Sequence, residues 1–151
     1  ISAIGEYAEK YQKRAGWVSQ IEGSYKRLAW EQLFSNVLFG EPLYQNEAGA
    51  YAQVLKMVRI APSASNKQPW RIVRNGNFWR LYLRRTAGYS DDPLKRYLGL
   101  ADMQRIDMGI AMCHFELTAR ELGLAGKWVV EESLDKFPIP NREYIVSWQE
   151  L

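Results

Sequence analysis

The sequence predicts a single α+β domain, and three stretches of the chain carry that prediction. A helical pattern ends at Pro62, a hairpin signal follows at Asn75-Gly76-Asn77, and a long helical pattern runs from Asp102 to Gly123. Helices and hairpin strands that occupy separate stretches of one chain are typical of α+β folds. A chain of 151 residues, 47% of them hydrophobic, is long enough to bury one core of ordinary size.

The amino-terminal third of the chain gives the weakest structural signals. Residues 6–27 are polar and contain two glycines, which predicts a linker or a loosely packed helix. A short helix is expected over residues 27–35, with apolar side chains for packing at Leu28, Leu33 and Phe34. Asn46 is a candidate cap for the next helix, in which apolar residues recur at three- and four-residue spacing at Tyr51, Val54, Leu55 and Val58.

The remaining elements are four strands and one long helix. The strands are expected at Arg71–Arg74, Phe78–Leu83, Trp128–Glu131 and Tyr144–Trp148. In the last of these, alternation would place Tyr144, Val146 and Trp148 on one face. Asp102 is expected to cap the long helix and Gly123 to end it. One apolar stripe of that helix comprises Ile106, Ile110, Cys113 and Leu117.

The segment between the first long helix and the hairpin contains an unusual set of side chains. Residues 61–71 read APSASNKQPWR, and the two prolines fix φ and stop the preceding helix. Ser63, Ser65, Asn66 and Gln68 can each donate and accept hydrogen bonds. A planar heteroaromatic cofactor with an alternating donor and acceptor edge requires such groups. An ordinary polar connection is, from the residues alone, the more common interpretation. Trp70 is expected to begin the next strand and to pack in the core.

This segment also carries a family resemblance. Residues 57–73, MVRIAPSASNKQPWRIV, resemble the APSxxNxQPW loop of the FMN-dependent nitroreductases, and in particular of members with two fused half-domains. In those members the second half contains a run similar to MVRLAPSASNKQPWRIV. Residues 3–10 (AIGEYAEK), 26–34 (KRLAWEQLF), 107–111 (DMGIA) and 119–124 (ARELGL) resemble further family segments, so the similarity extends over essentially the whole chain.

The resemblance implies a fold and a chemistry. The fold would be nitroreductase-like, with an antiparallel-rich sheet packed by helices and a long central interface helix. The activity would be that of an FMN-dependent NAD(P)H oxidoreductase, with ping-pong hydride transfer to a nitroaromatic or quinone-like acceptor. The flavin would supply the difficult chemistry and the protein would bind and tune it, so no side chain is expected to act as a catalytic acid or base.

The resemblance further implies a flavin site built from one loop and one basic pair. The ring would be lined by Pro62 and Ser63. Hydrogen bonds to its polar edge or to the ribityl chain would come from Ser65, Asn66 and Gln68. The phosphate would be approached by Lys26 and Arg27. An exposed linker would contain such a pair about as often, and weaker alternates are Lys10, Lys13 and Arg14.

The domain organisation expected from the resemblance is that of a carboxy-terminal half. Residues 1–36 would be a linker or arm from a preceding half-domain, and residues 37–151 a nitroreductase-like half-domain. The opening at Ile1 predicts that the chain is a fragment. The flavin site would be shared with an amino-terminal half that carries an RRSxR-like signature, or with a second copy of the chain. The alternative is a non-catalytic flavin-binding or subunit-interaction module with a vestigial site.

Composition argues against several other classes of protein. A net charge of +3, from 20 basic and 17 acidic residues that are scattered, does not favour nucleic-acid binding. Neither a membrane-spanning run nor a signal peptide is seen, and Cys113 is the only cysteine, so we expect a cytoplasmic protein. HExxH and CxxC motifs are absent, which leaves no basis for a metal site. The single histidine, His114, gives the loop serines no credible base, so a serine hydrolase is not favoured.

Overall fold

A computed structural model describes residues 26–86, 102–135 and 139–151, and over these residues the chain has the predicted α+β architecture. The strands described are β1 (Phe34–Asn36), β2 (Trp70–Asn75), β3 (Phe78–Leu83), β4 (Gly126–Val129) and β5 (Glu143–Glu150). The helices described are α1 (Trp30–Leu33), α2 (Ala52–Ile60), α3 (Met103–Glu121) and α4 (Glu132–Asp135). Short 3-10 turns occupy Gly49–Tyr51 and Ala64–Asn66.

The strands form one sheet in the order β1-β2-β3-β5-β4. Only the β1–β2 pair is parallel, and the other three pairs are antiparallel, which confirms an antiparallel-rich sheet. The prediction of a helix over residues 27–35 was wrong at both ends, since the helix begins only at Trp30 and ends at Leu33, and Phe34 begins β1. Short helices gain little stability in water, whereas β1 pairs with β2 and buries the Phe34 side chain completely.

The hairpin and its turn are confirmed. Asn75 and Phe78 pair at the end of β2 and β3, and Gly76 adopts a left-handed φ of 58° in the turn. Trp70 begins β2 and is fully buried, as expected. The predicted face of β5 is confirmed for Val146 and Trp148 but was wrong for Tyr144, because the β3–β5 register shifts after Leu81. This bulge reverses the alternation and brings the Tyr144 hydroxyl within 2.9 Å of Ser147 Oγ, on the face opposite Trp148.

The helix before the loop ends where the prolines require. Helix α2 ends at Ile60, and the core side chains Val54, Leu55 and Val58 lie on its buried face. The cap prediction was wrong, since Asn46 lies in a turn and makes no side-chain cap. Gly49, with a φ of 56°, starts a 3-10 turn that separates Asn46 from the helix.

Both predicted ends of α3 are confirmed. The Asp102 carboxylate accepts hydrogen bonds from the backbone N–H groups of Gln104 (3.1 Å) and Arg105 (3.3 Å). Gly123 adopts a φ of 70°, and the N–H of Leu124 donates to the carbonyl of Ala119 at 2.9 Å, which closes a Schellman motif.

The face of α3 that meets the core is not the apolar stripe that the sequence analysis identified. The buried apolar residues are Met108, Ala111, Phe115 and Ala119. In the predicted stripe, Ile106 is 47% exposed, Leu117 is 62% exposed and Cys113 is also exposed. We call these four residues the outer stripe: Ile106, Cys113 and Leu117 face away from the core of the described fold, whereas Ile110 is partly buried and packs against it.

The two faces of the sheet differ in character. The face toward α2 and α3 is aromatic and includes Trp79 and Trp148, whose Nε1 donates to the Tyr51 hydroxyl at 3.1 Å. On the second face, Arg80 forms a bidentate ion pair with Glu131, with N–O distances of 3.0 and 2.8 Å. Among the helices described, none is long and apolar enough to cross a membrane.

Candidate cofactor site

The loop from Ala61 to Pro69 connects α2 to β2 and has an unusual backbone. Three of its residues lie in the left-handed region without being glycine: Ser65 (φ 48°), Asn66 (φ 51°) and Gln68 (φ 47°). Each such residue costs on the order of 1–3 kcal/mol, with asparagine at the lower end. Surrounding interactions must therefore hold the loop in this conformation.

The buried amide of Gln68 provides the central interactions. Gln68 is 2% exposed. Its Oε1 accepts from the N–H of Leu28 at 2.9 Å, and its Nε2 donates to the carbonyl of Lys26 and to Asn66 Oδ1, both at 3.1 Å. Its backbone N–H donates to Ser63 Oγ at 2.9 Å. The Gln68 side chain thus joins the loop to the segment before α1, and its backbone N–H joins the two ends of the loop.

The segment 26–28 lies against the loop, although about forty residues separate them along the chain. Arg27 donates from its two terminal nitrogens to Asn66 Oδ1 (2.6 Å) and to the carbonyl of Ile60 (3.1 Å). Asn66 Nδ2 donates to the carbonyl of Lys26 at 2.6 Å, and Arg59 Nε donates to the carbonyl of Leu28 at 2.9 Å. The structure therefore places the predicted basic pair next to the predicted loop.

The predicted site residues differ in how far they are exposed. Pro62, Ser65 and Lys26 are exposed, Ser63, Asn66 and Arg27 are half-buried, and Gln68 is buried. The weaker alternates Lys10, Lys13 and Arg14 lie outside the described residues. The exposed residues of the loop are thus Pro62, Ser65 and Lys67, whereas its amide side chains make hydrogen bonds within the protein.

Asp107 on α3 makes a hydrogen bond to the backbone of the loop. From the sequence, the helix that contains it was expected to have only a structural role. Its Oδ1 accepts from the N–H of Ala64 at 2.9 Å, while its buried Oδ2 has no hydrogen-bond partner. Burial raises the pKa of Asp107, the hydrogen bond from Ala64 opposes that rise, and Asp102 adds to it. An aspartate within the DMGIA segment was the available signal.

Arg71 makes hydrogen bonds at the carboxyl end of the loop, and this role was not predicted from the sequence either. Its guanidinium donates to the carbonyls of Gln68, at 2.9 Å, and Trp70, while its Nε is buried without a partner. Only 9% of Arg71 is exposed. The available signal was an arginine between two strand residues that are both buried, Trp70 and Ile72.

The chemistry that this loop offers is hydrogen bonding rather than proton transfer. The polar side chains of the loop that are exposed or half-buried are hydroxyl, amide or lysine groups, and the one carboxylate among the described residues that contacts it, Asp107, is 1% exposed. Within residues 26–86, 102–135 and 139–151, no group of three or more His, Cys, Asp or Glu could hold a metal ion. A rigid loop of this kind suits a ligand that brings its own reactivity.

Comparisons with known proteins agree with the fold. The family model described as "Putative TM nitroreductase" matches residues 42–119, just over half of the 151-residue chain. This range contains α2, the loop, the hairpin and most of α3. No match was found among curated protein sequences.

A solved structure shows the same fold. The crystal structure titled as that of a "putative nitroreductase" from Thermotoga maritima MSB8 is 20% identical to this chain, with a TM-score of 0.52. The match covers 82% of this chain and 42% of that chain. At this identity the likeness establishes the fold, and the present chain spans less than half the length of the solved protein.

Proposed function

The chain belongs to the family described as "Putative TM nitroreductase", and from that premise we propose that it forms one half of an FMN-dependent NAD(P)H oxidoreductase. The observation that carries the proposal is the loop 61–69, whose serine, asparagine and glutamine residues are held in left-handed conformations by a buried hydrogen-bond network. Such strain is stored preferentially at functional sites. When bound, FMN would supply hydride chemistry between NAD(P)H and a nitroaromatic or quinone-like acceptor.

Different residues of the loop would contact different parts of the flavin. Pro62 and Ser63 would line the ring, and Ser65, which is exposed, would hydrogen-bond its polar edge or the ribityl chain. Asn66 is half-buried and would contribute from the side of the loop that faces Arg27. For Gln68 the contacts favour a positioning role, because its amide already binds Leu28, Lys26 and Asn66.

Lys26 and Arg27 are the proposed phosphate contacts. Arg27 is held against the loop by Asn66 and the carbonyl of Ile60, so its positive charge has a fixed position. Lys26 is exposed beside it. A fixed guanidinium and a nearby ammonium group complement a phosphate dianion, since hydrogen bonds between charged groups are the stronger ones.

A second half-domain would complete the site. Three residues of the outer stripe of α3, Ile106, Cys113 and Leu117, are exposed, and Gly109 lies on the same side of the helix with none of the described residues within 4 Å of where a Cβ would be. A glycine inside a helix costs about 1 kcal/mol relative to alanine, which close approach of a partner would offset. The chain spans only 42% of the solved protein that it resembles. We propose that the partner is another nitroreductase half, fused in the same protein or supplied by a second copy.

One observation favours a second function of a different class. Both amide side chains of the loop, Asn66 and Gln68, make hydrogen bonds within the protein. In this alternative the half binds a partner subunit through α3, the loop is a structural connector, and any flavin site is vestigial.

Spectroscopy under anaerobic conditions separates these functions. The purified chain, alone and together with the proposed partner half, is mixed with FMN and then with NADPH or NADH. Flavin bands that shift on binding and bleach with either nucleotide support the reductase. Flavin that binds and stays oxidised supports the non-catalytic flavin-binding module. Absence of binding in both preparations contradicts the reductase and favours the subunit-interaction module with a vestigial site. Ser65→Ala should weaken binding about threefold or more, as expected for one lost hydrogen bond, whereas Ser133→Ala on α4 should leave it unchanged.

A further inference from the structure

Three arginines meet on the second face of the sheet, at the end of the loop. We call Arg71, Arg84 and Arg142 the arginine cluster. Arg71 pairs with Tyr82 across β2 and β3, and Arg84 follows two residues after Tyr82. The N–H of Arg84 donates to the carbonyl of Pro69 at 2.8 Å, so the antiparallel pairing continues past the end of β3. Alternation therefore places Arg71, Tyr82 and Arg84 on one face.

Aromatic contacts bring Arg142 to the same place. The Phe39 ring packs edge-on against Tyr82, with 4.8 Å between the ring centroids. The Arg142 guanidinium carbon lies 4.1 Å from the centroid of that Phe39 ring. Tyr82 also packs against Tyr144, near the start of β5. Arg142 thus approaches, from the segment before β5, the aromatic patch that contains Tyr82. Tyr82 is the neighbour of Arg71 across the hairpin and lies two residues before Arg84.

The positive charge of the cluster has no counter-charge among the described residues. Arg71 is 9% exposed, and both Arg71 Nε and Arg142 Nε are buried without a hydrogen-bond partner. The neighbouring carboxylates bind other groups: Glu143 pairs with Arg85 and Arg105, and Glu131 with Arg80. Buried charges normally carry a partner, because desolvation without one is costly.

The pKa values of Arg71 and Arg142 are lowered by burial first and by neighbouring arginines second. Burial, followed by the charges of Arg84 and Arg142, lowers the pKa of Arg71 to about 10. Burial and the charge of Arg84 likewise lower the pKa of Arg142. At pH 7 both side chains remain positively charged, so the cluster holds concentrated positive charge and unused N–H donors.

We infer that the arginine cluster binds an oxyanion of the phosphate class. Guanidinium groups offer paired N–H donors with the geometry of phosphate oxygens, and the orphaned Nε atoms would gain acceptors. The phosphate could belong to a nucleotide ligand or be a free ion, and the recognition chemistry is the same. Arg71 also donates to the carbonyl of Gln68, so an anion at the cluster would act on the end of the loop. This site is distinct from the pair Lys26 and Arg27.

The test is calorimetric titration with inorganic phosphate at constant ionic strength, without flavin. Wild-type protein should bind phosphate saturably. Arg142→Gln and Arg84→Gln should each weaken that binding about tenfold, as expected for a lost charged hydrogen bond. Arg120→Gln, an equal loss of charge on the exposed side of α3, should not change it. No saturable binding, or equal affinity in Arg142→Gln and Arg120→Gln, would overturn the inference. Arg84 is exposed, so its variant should fold even where a variant of buried Arg71 does not.

Competition identifies the source of the phosphate. If FMN displaces inorganic phosphate and riboflavin does not, the site holds the flavin phosphate, and the assignment of that phosphate to Lys26 and Arg27 is wrong. If NADP⁺ displaces it and NAD⁺ does not, the site holds the 2′-phosphate of the nicotinamide nucleotide. If neither nucleotide competes, the occupant is a separate phosphate-class anion. All three outcomes support a phosphate site. Since the primary titration contains no flavin, its failure would leave the proposed flavin function unaffected.

Discussion

The loop 61–69 and the hairpin turn 75–77 both contain residues at positive φ, but they use different residue types there. The hairpin places a glycine, Gly76, at a φ of 58°, where glycine meets little steric cost. The loop places Ser65, Asn66 and Gln68 between 47° and 51°, where side chains are strained. A turn that only reverses the chain uses glycine. A loop that keeps polar side chains at such positions indicates that those side chains are needed.

The largest expected effect comes from removing the support of the strained loop. Gln68→Ala would leave the N–H of Leu28 and the carbonyl of Lys26 without their buried partner, and should lower the free energy of unfolding by about 2–3 kcal/mol. Urea denaturation measures this loss. Gln149→Ala on β5 is the matched control and should cost less than about 1 kcal/mol. Equal losses in the two variants would show that the network does not hold the loop.

The hairpin gives the next largest effect. Gly76→Ala places a Cβ at a positive φ and should cost about 1 kcal/mol of stability. Because nothing described lies within 4 Å of that Cβ position, the loss would come from the backbone alone. Thermal and urea unfolding measure it. If Gly76→Ala left the free energy of unfolding unchanged, a side chain at positive φ would carry no cost in this turn, and the comparison with the loop would fail.

The loop should respond in the opposite direction. Ser65→Gly relieves a strained φ but adds freedom to the unfolded chain, so stability should rise by about 0.5 kcal/mol. A loss of stability in this variant, measured beside Gly76→Ala under the same conditions, would mean that the serine serves the fold rather than a ligand.

The smallest effect concerns pH. The folded-state pKa of Asp107 is raised above its ordinary value of 3.8, so folding favours the protonated form. Its contribution to stability is therefore fully present below about 3.8 and is lost as the pH rises through the folded pKa. Asp107→Asn removes this loss, and its stability relative to wild type should improve between pH 4 and 7. Urea unfolding at several pH values tests this, and a difference that is flat or of opposite slope contradicts it.

The features predicted from sequence are those with local signals. Asn75-Gly76-Asn77 specifies a hairpin, Asp102 and Gly123 specify the ends of α3, and Pro62 specifies the end of α2. The APSASNKQPW run located the loop through resemblance, and Lys26 and Arg27 were placed beside it on the same basis. The domain boundary at residue 36 stays a prediction, although the sheet begins with β1 at Phe34.

The features missed depend on contacts between distant segments. β1 forms because β2 offers it a parallel edge, and the bulge in β5 depends on its register with β3. Periodicity identified an apolar stripe on α3 but could not tell which face meets the core. Asp107 and Arg71 gain their roles only when α3 and β2 approach the loop, and their residue types and positions in the sequence do not by themselves specify those contacts.

Equilibrium titration with FMN tests the central claim most directly, using the chain with its proposed partner half in three forms: wild type, Ser65→Gly and Gly76→Ala. If the loop retains its side chains for a ligand, wild type and Gly76→Ala should bind FMN alike, and Ser65→Gly should bind about threefold or more weakly, as expected for one lost hydrogen bond. If all three bind equally, or none binds, the side chains of the loop do not serve a flavin and the account is wrong.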